Sequence, residues 1–395
     1  MSPKTKTPEI ALAFNVGVPY LHRIAQGIRE YADAHRPDWR FMLSAEMFNL
    51  TPASLKGWRG AGVIAHCDTR QDEQVVHGLG CPAVNISGVL AASRLPQVRS
   101  DNHAIGCLAA TTLLRRGFQR FGFYGIRGAR YSADREAGFR ETIDAAGGRC
   151  DVLRSDGSFS RRPRWDRHQD DIDGWLRTLE TPCAVMGAHD PRAAMVIRAC
   201  RRVGLHVPKD IAVIGSGNDP VICDWQNPAL SSIDPDAHAI GRLAAETLDR
   251  LMAGKTVPVA TLVTPTGVRE RQSTNTHAFE QPHLAAAIRF IETEYRHQIS
   301  IDQIATAAAR SRRWLESAFR REMGLSPAAF LRRTRVRAIA AELRLDPTLR
   351  PSRLAALCGF TSNRQMFTAF EQETGDSFGT FRGTHSTSRN APSGR

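Results

Sequence analysis

A chain of 395 residues with 42% hydrophobic and 24% charged side chains is too long for one ordinary core and too apolar for a disordered polymer, so two or three globular domains are expected. Its net charge of +13 points to a polyanionic partner, and +8 of that excess falls after residue 283, where 18 arginines face 10 acids. No apolar leader precedes the first strand-like run and no stretch of about 18 uncharged apolar residues occurs, so a secretory signal and a membrane span are not expected and the predicted compartment is the cytoplasm.

From residue 9 to about 271, short apolar runs alternate with amphipathic ones. Strands are predicted at 10–16, 40–46, 62–67, 83–87, 120–126, 183–189 and 211–217. Helices are predicted between them at 103–117, 133–147 and 191–204, the last ending on Gly204 as a helix C-terminus should. This alternation implies parallel sheets covered on both faces, and its length implies two α/β lobes. Ligands of such folds sit beyond the carboxyl ends of the strands. Residues 272–282 are polar, contain Pro282 and read as a linker; the α/β domain is placed at 8–271 and the next at 283–383.

Beyond the linker the period is helical. Leu284, Ile288, Ile291 and Tyr295 mark one helix face, and Val336, Ile339, Ala340 and Leu343 another. This region also repeats itself. Ala305 pairs with Ala355 at an offset of 50, whereas Ser311/Ser362, Leu315/Met366, Phe319/Phe370, Gly324/Gly375, Ser326/Ser377 and Phe330/Phe381 pair at 51. One residue has been inserted at the turn. Each copy reads as a short helix, a tight turn and a second helix, the helix-turn-helix arrangement whose second helix can enter a DNA major groove. In the first copy, SRRWLESAFRREMG (311–324), Leu315 and Phe319 anchor the helix while Arg312, Arg313, Glu316 and Ser317 face away from that stripe. Arginine there can bond a guanine edge bidentately, and Arg320 and Arg321 can hold phosphate. Trp314 is read as a domain-core residue, with contact to the DNA backbone as the alternative. The tail at 384–395 is low in apolar residues and is expected to be disordered.

GLSPAAFLRRTRVRAIAAEL, LAALCGFTSN and GDSFGTFR together resemble the two-motif DNA-binding domain of the AraC family. The likeness implies two recognition helices on one polypeptide, with Asn363, Arg364 and Thr368 of the second suited to DNA contact. Glu371, Gln372, Met366 and Phe378 depart from that family's pattern, which implies a weaker grip by the second motif. The front region is similar to the periplasmic-binding-type sensor domains of LacI-like regulators at SDNHAIG (100–106), REAGF (135–139), HDPRAA (189–194) and NPALSSI (227–233). That resemblance implies a sugar effector, a pentose such as xylose or a related one, held between two lobes. Arg135, Asp190, Asn218 and Asp219 supply the planar donors and acceptors a polyol needs, with Asn15, Tyr20 and Asp101 behind them. Asp190 is also placed to cap the helix that follows it, and Asp101 to serve as a hinge hydrogen-bonder. Gly217 and Leu21 stand where relatives of this type carry acids.

The fold expected is therefore a two-lobed α/β periplasmic-binding-like domain followed by an all-α domain with two helix-turn-helix motifs. From the two resemblances together, the implied partners are duplex operator DNA, a sugar effector, a second copy of the chain and RNA polymerase. No catalytic residues, metal ligands or cofactor are assigned. G-x-x-x-x-G-K-[ST], H-E-x-x-H and G-x-S-x-G are all absent, and the eight cysteines contain no C-x-x-C pair, so they read as reduced, mostly buried thiols. Two rivals stay open: a ligand-independent architectural DNA binder, and a sugar-processing enzyme with a basic tail.

Overall fold

The computed structural model describes residues 7–43, 50–156, 165–275, 282–346, 348–375, 377–379 and 382. Two compact units divide the chain, Met1–Thr276 and His277–Arg395.

The first unit is built on twelve strands: β1 (Glu9–Ala13), β2 (Arg40–Met42), β3 (Gly62–Ala65), β4 (Ala83–Asn85), β5 (Gln97–Ser100), β6 (Arg120–Arg127), β7 (Arg149–Asp156), β8 (Cys183–Gly187), β9 (Ile211–Ser216), β10 (Ser231–Asp234), β11 (Ala260–Val263) and β12 (Gly267–Arg269). They form two six-stranded sheets, ordered β11-β5-β4-β3-β1-β2 and β12-β10-β9-β8-β6-β7, so the chain passes between lobes after β5, β10 and β11. The central strands are apolar on both faces because helices cover both: every residue of β3, β8 and β9 is buried. All pairings are parallel except β10 with β12, which is antiparallel, so the second sheet departs from the parallel expectation at that edge.

Five of these strands escape sequence patterning. β7, RCDVLRSD, is an edge strand with polar residues on its exposed positions, and β10, SSID, buries serines instead of aliphatics. Both strands lack the apolar run that marks β8. β5, β11 and β12 are similarly short or polar.

In each lobe two helices meet through facing glycines. A methyl group on Gly106 of helix Asn102–Leu114 would lie 2.1 Å from the Arg135 carbonyl, and one on Gly138 of helix Arg130–Ala145 would lie 2.2 Å from that of His103. Gly27 and Gly241 do the same for helices Pro19–His35 and Ala237–Met252. This backbone approach brings Asn102 against Arg135, which matters for the site below.

The linker needs a correction at its start. Ser273 and Thr274 are fully buried, with the Ser273 hydroxyl donating to the Val213 carbonyl at 2.6 Å and sharing the lobe's interior with Ser231. Residues 272–274 therefore finish the second lobe, because their short polar side chains satisfy buried backbone groups of β9 and β10. The rest of the linker to residue 281 and the expected tail at 384–395 lie outside the described residues.

The second unit is helical: Pro282–Glu294, Ile301–Ala307, Arg312–Met323, Pro327–Leu345, Pro351–Leu357 and Asn363–Thr374. Two cores flank the long connecting helix. Leu284, Ile288 and Ile291 pack with Leu315 and Phe319 in one, while Val336, Ile339 and Leu343 pack with Met366 and Phe370 in the other. The repeat is visible residue by residue. Ser311 and Ser362 cap the second helices by accepting from Trp314 and Gln365 N–H groups, and Gly324 and Gly375 close them with φ of 67° and 77°. Ala309 and Gly359 share a positive φ at the turn, so the inserted residue lies after Gly359, among residues 360–361. Phe378, one of the departures from the family pattern, is buried edge-on against Phe370 at 5.6 Å. Trp314 is half-buried on the first core and meets His283 edge-on at 6.0 Å. All eight cysteines are free thiols.

Candidate functional sites: an interlobe cleft and a paired helix surface

In the first unit, the carboxyl ends of both sheets converge on Arg135. Its guanidinium is 7% exposed, donates from Nε to Asn102 Oδ1 at 2.9 Å and from Nη1 to the Ala188 carbonyl, and lies over the Tyr131 ring at 5.2 Å. All these partners are neutral. Burial therefore pulls the guanidinium below its ordinary pKa. Tyr20 reaches the same place from the first lobe, with its hydroxyl 3.4 Å from Ser100 Oγ. Its own pKa is raised by burial, against the lowering influence of Ser100, Arg135 and Arg23.

The acids assigned to ligand contact are held by the protein itself. Asp190 is 1% exposed; it accepts from Ser232 Oγ at 2.5 Å and from the Asp219 N–H at 2.9 Å, and burial raises its pKa. It does not cap its helix: His189 does, accepting from the Arg192 N–H. Asp219 caps Pro220–Asp224, and Asp101 caps Asn102–Leu114 where the chain passes from the first lobe to the second. Asn218 sits at φ 48°, donates to Asp234 at 3.0 Å and accepts from Arg271 at 3.2 Å. Asn15 is exposed at the end of β1, and its side chain accepts from the Gly17 N–H.

Sequence reasoning missed three contributors. Arg23 of helix Pro19–His35 donates to the Gly217 carbonyl and lies 3.4 Å from Asp234, joining the first lobe to the second. Tyr131 stacks on His189 with ring centroids 6.4 Å apart, and its N–H donates to the Gly88 carbonyl of the opposite lobe. Arg192 is buried, lies over the Tyr124 ring at 4.7 Å and donates to the Tyr124 and Ser155 hydroxyls. An amphipathic helix carries no local signal for Arg23's role, whereas Arg192 lies inside the quoted HDPRAA stretch at 189–194. His189 opens the same stretch.

Burial and the two arginines push His189 down to about 3. The unfolded chain protonates this residue near its ordinary value of 6.5 and the folded chain does not, so stability falls as pH drops from about 6.5 toward 3. Asp190, shifted upward, acts with the opposite sign. The His189→Gln variant should lose up to about 1.4 kcal/mol per pH unit of that slope between pH 6 and 5, measured by urea denaturation.

In the second unit, helix Arg312–Met323 turns Leu315, Ala318 and Phe319 inward and leaves Arg312, Arg313, Ser317, Arg320 and Arg321 exposed, with Glu316 half-exposed. Arg312 pairs with Glu316 at 3.3 Å, and Arg321 with Glu322 at 2.8 Å. The corresponding helix Asn363–Thr374 exposes Asn363, Arg364 and Thr368. Arg364 and Thr368 line a surface groove with Ser362, Gln365, Gln372 and Arg332 of the connecting helix. Arg332 and Arg333 both reach Glu373, at 2.8 and 3.2 Å. Such a surface can present arginine forks to base edges and phosphates. Among the described residues, no cluster of three or more His, Cys, Asp or Glu side chains is placed to hold a metal ion, and no helix is long and apolar enough to cross a membrane.

Three family models match this architecture in order: XylR N-terminal domain at residues 9–102, periplasmic binding protein-like domain at 110–274, and helix-turn-helix domain at 304–384. The xylose operon regulatory protein of Escherichia coli (strain K12) is 30% identical over 376 residues, covering 93% of this chain and 95% of that protein. The chain belongs to the xylose operon regulatory protein family. The Haemophilus influenzae xylose operon regulatory protein is 24% identical over 92% of this chain and 95% of its own length. A solved structure of the xylose-binding transcription activator xylR matches 96% of this chain and 99% of that one, with TM-score 0.61 and 27% identity. Members of the xylose operon regulatory protein family are thus similar over both units, the two-lobed and the helical. These relatives are transcription regulators.

Proposed function

We propose that this chain is a transcription regulator that binds duplex operator DNA through its paired helix-turn-helix motifs under control of a sugar held in the interlobe cleft. The paired recognition helices carry this reading: two copies of one motif, capped and closed alike, each turn arginine outward from a Leu/Phe or Met/Phe anchor. The cleft supports the second half of it, since Arg23 from one lobe bonds the Gly217 carbonyl and Asp234 of the other, and the Tyr131 N–H of the second lobe bonds the Gly88 carbonyl of the first. Work on a carbohydrate-utilisation operon fits the family, with xylose or a related pentose as the first class to test. No catalysis and no cofactor are invoked.

Control requires unequal affinity of the effector for open and closed lobes; a ligand that bound both equally would shift nothing. Closure then changes how two copies, paired through the front domain in the cytoplasm, present their helices to DNA and to RNA polymerase. The test is fluorescence anisotropy of the full chain on promoter DNA against random competitor, with and without sugars. No preference for any promoter fragment would sink the regulator reading. Arg320→Ala should weaken binding to all sequences alike and lower the salt slope by about 1, because a phosphate contact carries no base information.

A further inference from the structure

Helix Asn363–Thr374 carries an apolar ring on its polar side. Phe367 is 37% exposed, and among the described residues of the second unit no other large hydrophobic side chain is exposed. It stands outside the inward stripe of Met366, Ala369 and Phe370. Exposed Asn363 and Arg364 lie four and three residues before it, so the ring shares the helix side that those two residues present to solvent. The internal repeat places it there independently. At the offset of 51 that pairs Leu315 with Met366, Phe367 falls on Glu316, which the first recognition helix holds among Arg312, Arg313 and Ser317.

The ring is also held in place. Phe378 lies against it with ring centroids 5.1 Å apart and planes tilted by 42°, and Phe378 is itself set edge-on to buried Phe370 at 5.6 Å. The departure from the AraC pattern at Phe378 thereby has a physical use, since a buried ring anchored in the core buttresses an exposed one. A side chain fixed before binding loses little freedom when it is covered. Its surroundings favour a polyanion over an apolar protein partner. Arg364 and Thr368 line a groove with Arg332, and Arg332 and Arg333 share the single carboxylate of Glu373.

In a major groove the apolar feature of a base edge is the C5-methyl group of thymine. A carboxylate such as Glu316 can accept from a cytosine amino group, whereas a phenyl ring offers no such bond and suits the methyl. We infer that Phe367 is a specificity-determining residue of the second motif, reading a thymine by seating its ring against the C5-methyl group. The two motifs then favour different bases at equivalent positions, and the operator half-sites are not identical there. This inference rests on the DNA-binding regulator reading and deepens it.

The probe is duplex DNA selected by the full chain from a randomised library. Each thymidine is replaced singly by deoxyuridine, which lacks only the methyl group, and affinity is read by fluorescence anisotropy. At a thymine in one half-site, loss of the methyl should weaken binding about fourfold, the worth of one buried methyl group. Phe367→Ala, checked for an unchanged melting temperature, should bind thymine and uracil alike at that position, and Phe367→Leu should recover part of the difference. A wild-type chain indifferent to every thymine methyl would overturn the inference without any variant and leave the regulator standing. Weakening of both duplexes by the same factor in Phe367→Ala, with the methyl effect intact, would overturn the assignment and reduce the ring to a packing partner of Phe378. Selection of no sequence would count against regulator and inference together.

Discussion

Gly359→Val should destabilise the second helix-turn-helix motif by roughly 3 kcal/mol and abolish protection of one operator half-site in a footprint of the full chain. Gly359 has φ 77°, and a Cβ there would lie 2.1 Å from the Tyr295 carbonyl and 3.0 Å from Arg335 Nε. A β-branched residue resists that backbone conformation, and the clash falls on backbone that cannot rotate away. The turn is docked as well as bent. Gln298 donates to the Gly359 carbonyl at 2.9 Å, and buried Arg335 donates to the Tyr295 and His297 carbonyls at 2.9 and 2.7 Å while lying over Phe360. The loop after the first core and the turn of the second motif are therefore one structure. Displacing Gly359 disturbs the spacing between recognition helices as well as the second motif's stability. Urea denaturation reads the first effect and half-site footprinting the second; an unchanged footprint would mean that the turn tolerates the strain.

Arg313→Ala should cost about 1–3 kcal/mol of operator affinity and relax preference at a single base position, leaving other positions unchanged. The residue lies in the first turn of helix Arg312–Met323, two residues after the Ser311 cap, where a recognition helix points into the groove. Its neighbours Arg312 and Arg321 are each paired with a glutamate, but Arg313 is exposed and has no ion pair among the described residues, so its fork is available to a base edge. Binding to a library randomised at each operator position measures the outcome. Intact preference at every position would show that this helix is placed wrongly. The contrast with Arg320→Ala, expected to act uniformly, separates base reading from phosphate holding.

Much of the DNA-binding surface was legible in the chain because repetition is a non-local signal written in local residues. Ser311 with Ser362, Phe319 with Phe370 and Gly324 with Gly375 keep their spacing because each serves a cap, an anchor or a left-handed close. The cleft was legible only in part. Arg135 and Asn218, drawn from short motifs, lie beside the ends of β8 and β9. Asp190, Asp219 and Asp101 have the right chemistry for a polyol, yet in the fold they brace N–H and hydroxyl groups of the protein. Residue type alone cannot tell an acid that faces a ligand from one that satisfies its own scaffold.

Alternating apolar runs, helical periods and a duplicated turn by themselves determined the class of the fold, its two kinds of domain and the arginine face of the recognition helices. These depend on the order of residues within one element or one repeat. Only the tertiary structure decided that Arg23 crosses to Gly217, that His189 stacks on Tyr131, that residues 272–274 complete a lobe and that Gly359 locks against Tyr295. Each of those facts is a meeting of groups distant in sequence, set by sheet order and helix packing, and the free energy of a buried charge or a forced close approach depends on which groups meet.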